Sequence, residues 1–146
     1  MSMITQGAMD SAATTHCIPH EYNGGAHQDV PPGKGIGAVC ANETIMQSTA
    51  TDILDLKELP SKARPCDKFK GLSVPLISVK RLCEADLEVH FTNKQVTVTD
   101  QLGTTILAGS LDPNTELYMV NLHDDHTNSL TTDALPRGDT QLSQSQ

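Results

Sequence analysis

Four short apolar segments, evenly spaced between residues 86 and 122, constrain the fold of this chain more than any other feature. In chain order they contain Leu87, Val89 and Phe91, then Val96 and Val98, then 106–108, and finally 117–120. In the first two segments apolar and polar residues alternate, which is typical of a strand that buries one face. Turn-forming residues separate the segments, at 92–94, 100–103 and 112–115. The pattern predicts a four-stranded antiparallel meander, a usual component of small β-barrels.

The upstream sequence adds shorter signals. An apolar cluster between Ile53 and Leu59 ends at Pro60. The segment 76–79 is β-like, and the spacing of apolar residues from Val79 to Cys83 fits one or two helical turns. Residues 24–37 contain five of the ten glycines and two prolines, which indicates a loop or a hairpin tip. We therefore expect an all-β fold with one short helix.

Length and composition set the number of domains. A chain of 146 residues has room for one domain and a tail. Two Phe, two Tyr and no Trp favour a modest barrel over a large α/β core. After residue 122 apolar residues almost disappear, so we predict a β-barrel domain over 1–122 and a disordered tail over 123–146.

Other features bear on location and partners. No run of about 18 apolar residues is present, and the first six residues lack the features of a secretory signal, so we expect an intracellular, cytoplasmic protein that does not cross a membrane. The net charge of -8 argues against a surface that binds nucleic acid as a whole. Four widely spaced cysteines show no zinc-ribbon pattern, and we expect reduced thiols.

Three segments occur in an order that suggests a family. They are Asp10-Ser11-Ala12-Ala13-Thr14-Thr15-His16, Leu76-Ile77-Ser78-Val79-Lys80-Arg81-Leu82 and Phe91-Thr92-Asn93-Lys94-Gln95-Val96-Thr97-Val98, with Gly103 and Leu117-Tyr118 beyond them. The set resembles the protease region of copia-type LTR retrotransposon Pol polyproteins, which typically shows Asp-Ser-Gly-Ala-Thr-x-His and then Leu-Leu-Ser-Val-x-x-Leu. The resemblance extends from about Gly7 to Leu122.

This resemblance implies a retropepsin-like β-barrel and an aspartic endopeptidase that processes a polyprotein. Asp10 would be the catalytic residue, with Ser11 and Ala12 as its supporting loop. Such enzymes hold a water between two carboxylates that share one proton. One chain carries one motif, so the resemblance implies a homodimer with Asp10 from each subunit, located in the cytoplasm or in virus-like particles, and no cofactor or metal. The glycine-rich residues Gly33, Gly35, Ile36 and Gly37 would form the mobile flap.

Two departures from the family pattern weaken the enzyme hypothesis. Ala12 stands where the family usually has Gly, whose missing Cβ allows close backbone approach. Only nine residues precede Asp10, fewer than a full retropepsin uses for its first strands and dimer interface. The alternative function is a catalytically lost, transposon-derived β-barrel that serves as a structural or dimerising module.

Two further alternatives concern ligands. His16, Cys17, His20, His27 and Cys40 are zinc ligands by type, although their spacing matches no known zinc finger. The stretch from Lys57 to Arg81 has a net charge of +5 and could contact a polyanion. It lacks the aromatic residues on which bases stack, so nucleic acid binding is the least favoured of these hypotheses.

Overall fold

The regular secondary structure of the described residues is nearly all β, as the sequence predicted. The structure is a computed structural model and describes residues 4–39 and 45–123. Within these ranges it has one α-helix, α1 (Val79–Glu84), and one 3-10 turn, Ser61–Ala63. The strands are β1 (Gln6–Asp10), β2 (His16–Pro19), β3 (Gln28–Asp29), β4 (Gly37–Val39), β5 (Ile45–Gln47), β6 (Ala50–Ile53), β7 (Pro65–Phe69), β8 (Leu76–Ser78), β9 (Glu88–Phe91), β10 (Gln95–Thr99), β11 (Thr105–Leu111) and β12 (Tyr118–Asn121).

The predicted C-terminal meander is confirmed. β9, β10, β11 and β12 are consecutive antiparallel neighbours. Val96 and Val98 of β10 are fully buried, as the period-two alternation required. Phe91 is 44% exposed and packs edge-on against the ring of Tyr118, with the ring centres 5.0 Å apart. The meander therefore follows from local sequence pattern and from turns that join strand neighbours.

β1 lies in the middle of the main sheet, between two strands from distant parts of the sequence. It pairs in parallel with β8, where Asp10 is the register partner of Ser78. Its other side pairs antiparallel with β12, where Ala8 is the register partner of Met119. The strand that ends in Asp10 is thus held on both sides.

The rest of the main sheet comes from the N-terminal half. β2 pairs in parallel with β7, which pairs antiparallel with β6, and β6 carries the two-residue β3 at its edge. β4 and β5 form a separate two-stranded hairpin. The region predicted as loop or hairpin tip therefore contains one short edge strand and leads into a hairpin.

The main sheet is open, whereas the sequence predicted a closed barrel. Its ten strands run in the order β3-β6-β7-β2-β8-β1-β12-β11-β10-β9. Within the described ranges β3 and β9, at the two ends, do not pair with each other. β3 has only two residues, both exposed, and β9 presents the exposed side chains of Glu88 and His90. Edge strands of this kind resist further pairing because they are short or charged.

One hydrophobic core underlies the sheet. Fully buried members come from its different parts, among them Ile18, Leu54, Ile77, Leu82, Val98 and Val120. Each such aliphatic side chain contributes about 1.5–3 kcal/mol when removed from water. The helix α1 joins this core through Leu82, and Ser78 caps its first turn by accepting a hydrogen bond from the Arg81 N–H. The predicted short helix is confirmed.

The last expectations concern the C-terminal tail and membrane-spanning segments. The predicted tail lies outside the described residues apart from His123, which pairs with Asp55 in an isolated bridge. Within the described ranges no helix has the length and apolar content that a membrane span requires.

Candidate functional site

Asp10 ends β1 and begins a short loop to β2, which we call the Asp10 loop (residues 10–15). Its side chain is partly exposed. The Ala12 N–H donates a hydrogen bond of 2.8 Å to the Asp10 carboxylate, and Ser11 is exposed. The backbone of the loop thus orients one carboxylate oxygen through a turn in which an Asp side chain accepts from the residue two positions on.

Ala12 fits its position without backbone strain. Among the described residues the non-glycine residues with positive φ are Asp86 and Glu116, so Ala12 is not one of them. Its side chain is exposed. Glycine is therefore not required at this position by the conformation of the isolated chain.

A cluster of buried polar groups holds the Asp10 loop from behind. We call it the His16 cluster, comprising Ala13, His16, Ala63 and Ser78. The Ser78 hydroxyl donates to the Ala13 carbonyl at 2.7 Å, and the Ser78 N–H donates to Nδ1 of His16 at 2.9 Å. Nε2 of His16 donates to the Ala63 carbonyl at 2.7 Å. Because Nδ1 accepts and Nε2 donates, the His16 ring is neutral with its proton on Nε2.

The surroundings of His16 keep it neutral. The residue has no exposed surface. Burial lowers the pKa of His16 from 6.5 to about 4, with the Ala63 carbonyl opposing this shift and the Arg81 cation adding to it. Proton binding to this ring is thus unfavourable in the folded protein.

A second set of contacts fixes the end of the loop nearest β2. The Thr15 hydroxyl donates to the Asp67 carboxylate at 2.8 Å and accepts from the Arg81 guanidinium at 3.1 Å. Another nitrogen of Arg81 donates to the Pro65 carbonyl at 3.3 Å. The Asp10 loop is therefore attached to β7, β8 and α1 at once.

The candidate flap residues lie at the base of the β4–β5 hairpin. Gly33 has a φ of +81°, which suits glycine, and Gly37 is the first residue of β4. A Cβ on Gly35 would lie 2.1 Å from the Ser48 carbonyl oxygen, so this position requires glycine. Ile36 is exposed and exchanges two hydrogen bonds of 2.9 Å with Ser48. The hairpin is anchored at Ser48, and within the described strands it pairs with neither β1 nor β8.

A second buried polar group, which we call the Asp52 cluster, lies on the other side of β7. Lys68 and Asp52 form a salt bridge of 3.0 Å with side chains only 2% and 0% exposed. The Lys68 ammonium also donates to the Tyr22 carbonyl and to Nδ1 of His27, at 2.5 and 2.8 Å. All three of its protons have acceptors, which is what a buried ammonium requires.

The Asp52 carboxylate is matched equally well. It accepts hydrogen bonds of 2.8–3.0 Å from the backbone N–H groups of Gly24, Ala26 and Ile53. Burial by itself raises the pKa of Asp52, but these donors together with Lys68 outweigh it and lower the pKa below the ordinary value. The Asp52 cluster thus holds the 24–26 loop against β6.

The contacts of Lys68 and Asp29 with His27 argue against a zinc site. His20, His27 and Asp29 can place ligand atoms within 4.8 Å of one another. However, the Lys68 ammonium donates to Nδ1 of His27, which leaves the His27 proton on Nε2, and Nε2 donates to Asp29 at 2.8 Å. A cation at Nε2 would have to displace that proton. These hydrogen bonds favour a chain of hydrogen-bonded side chains, Lys68–His27–Asp29, over a metal centre.

The other candidate zinc ligands that the structure describes do not form a site with these residues. His16 uses both ring nitrogens within its cluster, and Cys17 is buried beside it in β2. Cys40 lies outside the described residues. Cys66 is a buried free thiol and Cys83 an exposed one.

Several basic residues of the stretch from Lys57 to Arg81 contact protein groups. Lys68 is buried in its ion pair, and Lys80 pairs with Glu84 one turn along α1. Arg64 and Arg81 donate to backbone carbonyls of Leu54 and Pro65. These contacts weaken the polyanion hypothesis further.

Sequence reasoning did not assign roles to the residues that hold the Asp10 loop. Ser78 had a readable signal, because a serine just before the helical spacing of 79–83 is a typical N-cap. The burial of Lys68, in the Asp52 cluster, also had a signal in the sequence, because the alternation of β7 places residue 68 on the same face as buried Cys66. The pairing of His16 with Ser78, far along the chain, had no local signal.

Comparison of the chain with models of protein families, with curated protein sequences and with solved structures returned no match.

Proposed function

We propose that this chain is a retropepsin-like aspartic endopeptidase domain of the copia type, which processes a polyprotein as a homodimer. Asp10 from each subunit would supply one of two carboxylates that share a proton and a water. One carboxylate would take a proton from the water while the other polarises the scissile carbonyl.

The observation that carries this proposal is the placement of Asp10. Its carboxylate ends a central strand, remains partly exposed and is oriented by the Ala12 N–H at 2.8 Å. The loop around it is attached to three elements by hydrogen bonds, among them the part-buried ones of Ser78 and Thr15. A general base needs this combination of access to substrate and restricted motion.

The β4–β5 hairpin supports the proposal in a second way. It stands apart from the main sheet and carries the exposed apolar side chains of Ile36 and Ile45. A hairpin hinged at Ser48 that presents apolar side chains is suited to cover a bound peptide and exclude water. The same hairpin would also serve the alternative, a structural or dimerising module without catalysis.

Peptide hydrolysis by matched variants tests the proposal. We expect pepstatin-sensitive cleavage with an acidic optimum, and we expect Asp10→Asn to reduce turnover by about 100- to 10,000-fold because the shared proton and the general base are lost. Asp86→Asn is the matched control. Asp86 is exposed with a φ of 67°, a conformation that asparagine adopts readily, so its turnover should equal that of the parent.

The assembly is measured in parallel by sedimentation over a range of concentrations. A reversible dimer is expected, because one chain supplies one motif. Turnover by Asp10→Asn equal to that of Asp86→Asn would remove Asp10 from the mechanism. A monomer at all concentrations that still cleaves peptides would refute the shared site. A dimer without cleavage under any condition would favour the structural module.

A further inference from the structure

We propose that His16 is a positioning residue for the Asp10 loop and that it holds the loop only while its imidazole is neutral. Acid would then release the loop from β8 before the fold as a whole is lost. The effect on catalysis rests on the proposed peptidase function, whereas the effect on the loop does not.

The contact between His16 and Ser78 carries this inference. The two meet at 2.9 Å between Nδ1 and the Ser78 N–H, where the ring must accept. A proton on Nδ1 would turn the acceptor into a donor and place two N–H groups against each other. The bond from Nε2 to the Ala63 carbonyl would survive, so the contact that fails is the one to Ser78.

Ser78 connects this contact to Asp10. It is the register partner of Asp10 in the β1–β8 pairing, and its hydroxyl holds the Ala13 carbonyl at 2.7 Å. The same hydroxyl accepts from the Arg81 N–H and caps α1. A shift of Ser78 away from a charged His16 therefore changes the position of the loop that carries the Asp10 carboxylate.

The charged and titratable groups around His16 favour the neutral ring. Arg81 of α1 disfavours an added positive charge. Asp67 of β7, which accepts from the Thr15 hydroxyl, would attract one, but burial of the ring is the largest influence on the pKa of His16. Cys66 of β7, the register partner of His16, is a buried thiol whose pKa is raised to about 12 by its burial, so it stays neutral. Asp10 of β1 is the register partner of Ser78, and Arg64 follows Ala63 and donates to the Leu54 carbonyl.

A pH titration of the full chain by NMR is the direct test. We expect the amide signals of residues 11–14 to move together with the ring signals of His16, with a midpoint near pH 4, where the lowered pKa of His16 lies. Amide signals of β10 and β11, remote from the cluster, should stay unchanged over the same step. This measurement needs no variant, so it can be made even if a substitution prevents folding.

Two substitutions separate the two contacts of the ring. His16→Asn places a carboxamide oxygen where the imidazole has Nδ1, so it can accept from Ser78 without titrating. His16→Gln places a donor where the imidazole has Nε2, so it keeps only the Ala63 contact. We expect the Asn variant to retain the ordered loop from pH 7 down to pH 3.5 and the Gln variant to lose it throughout. His90→Asn, on exposed β9, is the control and should titrate like the parent.

Peptide hydrolysis provides the second readout. With an active peptidase, kcat of the parent should fall at the pH where the loop signals move, and His16→Asn should shift this fall by at least one pH unit toward acid. Loop signals that stay still while the His16 ring titrates would overturn the inference. So would an unchanged loop transition in His16→Asn. Absence of hydrolysis in every sample would refute the proposed function alone, because the NMR step is measured independently.

Discussion

The Asp52 cluster and the His16 cluster both hold a loop against the same sheet, but one does so with charges and the other with a neutral ring. In the Asp52 cluster a carboxylate and an ammonium meet at 3.0 Å, and every donor and acceptor has a partner. In the His16 cluster the ring has one accepting and one donating nitrogen. Loss of one partner in the Asp52 cluster leaves a buried charge unpaired, whereas addition of one proton to His16 disrupts the His16 cluster.

The two clusters are neighbours across one residue. Cys66 in β7 is the register partner of His16 in β2 and of Asp52 in β6. Both clusters are buried and both adjoin β7, one at each of its edges, so the contrast between them is not one of burial or of distance from this strand. The contrast lies in the chemistry of the groups, and three experiments test it.

The largest effect is expected from removal of one charge in the Asp52 cluster. Lys68→Met leaves the Asp52 carboxylate buried without its ammonium, and we expect the free energy of unfolding to fall by about 3–5 kcal/mol. Urea unfolding at pH 7 measures this change. Lys70→Met, at an exposed position two residues on, is the matched control and should change stability by less than about 0.5 kcal/mol. Equal losses in both variants would show that the ion pair does not hold the 24–26 loop.

A smaller effect separates the clusters by pH. The pKa of His16 is lowered from 6.5 to about 4 in the folded state, so the unfolded chain binds this proton first. Stability from this residue is complete above pH 6.5 and is lost as the pH falls toward 4, by about 3 kcal/mol in all. The lowered pKa of Asp52 acts in the same direction but only below its unfolded value of 3.8.

Unfolding free energies measured between pH 7 and pH 3 should therefore show two consecutive losses. His16→Asn should flatten the first loss and leave the second in place. A single loss below pH 4 in the parent would mean that His16 does not resist protonation in the folded state.

The smallest effect is expected in the reactivity of the Cys66 thiol, which lies between the two clusters. Its burial raises its pKa from 9.0 to about 12, so at neutral pH its thiolate fraction is lower by about 1,000-fold than that of an unperturbed thiol. We expect exposed Cys83 to react with a thiol reagent far sooner than Cys66, with each site followed by peptide mass spectrometry. Lys68→Met should speed the reaction of Cys66, because the destabilised fold opens more often and exposes the thiol, and it should leave that of Cys83 unchanged. Loss of the Lys68 cation by itself acts in the opposite direction, since this cation lowers the pKa of Cys66. Equal rates at the two thiols in the parent would contradict the packing of β7.

The C-terminal meander could be predicted from the sequence and the N-terminal half could not, for a physical reason. β9 to β12 pair with their neighbours in the chain, so alternation and turn residues contain the needed information. β1, β2 and β7 pair with strands distant in sequence, and no local pattern encodes those partners. Closure of the barrel was predicted from the family resemblance, and the short β3 does not supply it.

The candidate site shows the same division. Asp10 was identified from an ordered set of motifs, and its catalytic role stays a prediction. Lys68 was grouped with a basic stretch because lysines are rarely buried, yet its strand alternation places it beside Asp52. His16 was considered as a metal ligand, and the structure gives both its nitrogens to protein partners. The type of each residue indicated which roles it could have. Its contact partners, which are distant in the sequence, determine which role it has in the folded chain.

The position of β1 between β8 and β12 also determines when the Asp10 loop can take shape. Ala8 pairs with Met119, so the two ends of the described chain must meet before β1 has both neighbours. Contacts between residues so distant in sequence form slowly, because the intervening chain must lose its freedom first. During synthesis the strand that ends in Asp10 emerges before β12 and cannot pair with it until β12 has emerged. A nascent or truncated chain that lacks β12 therefore cannot complete the candidate site.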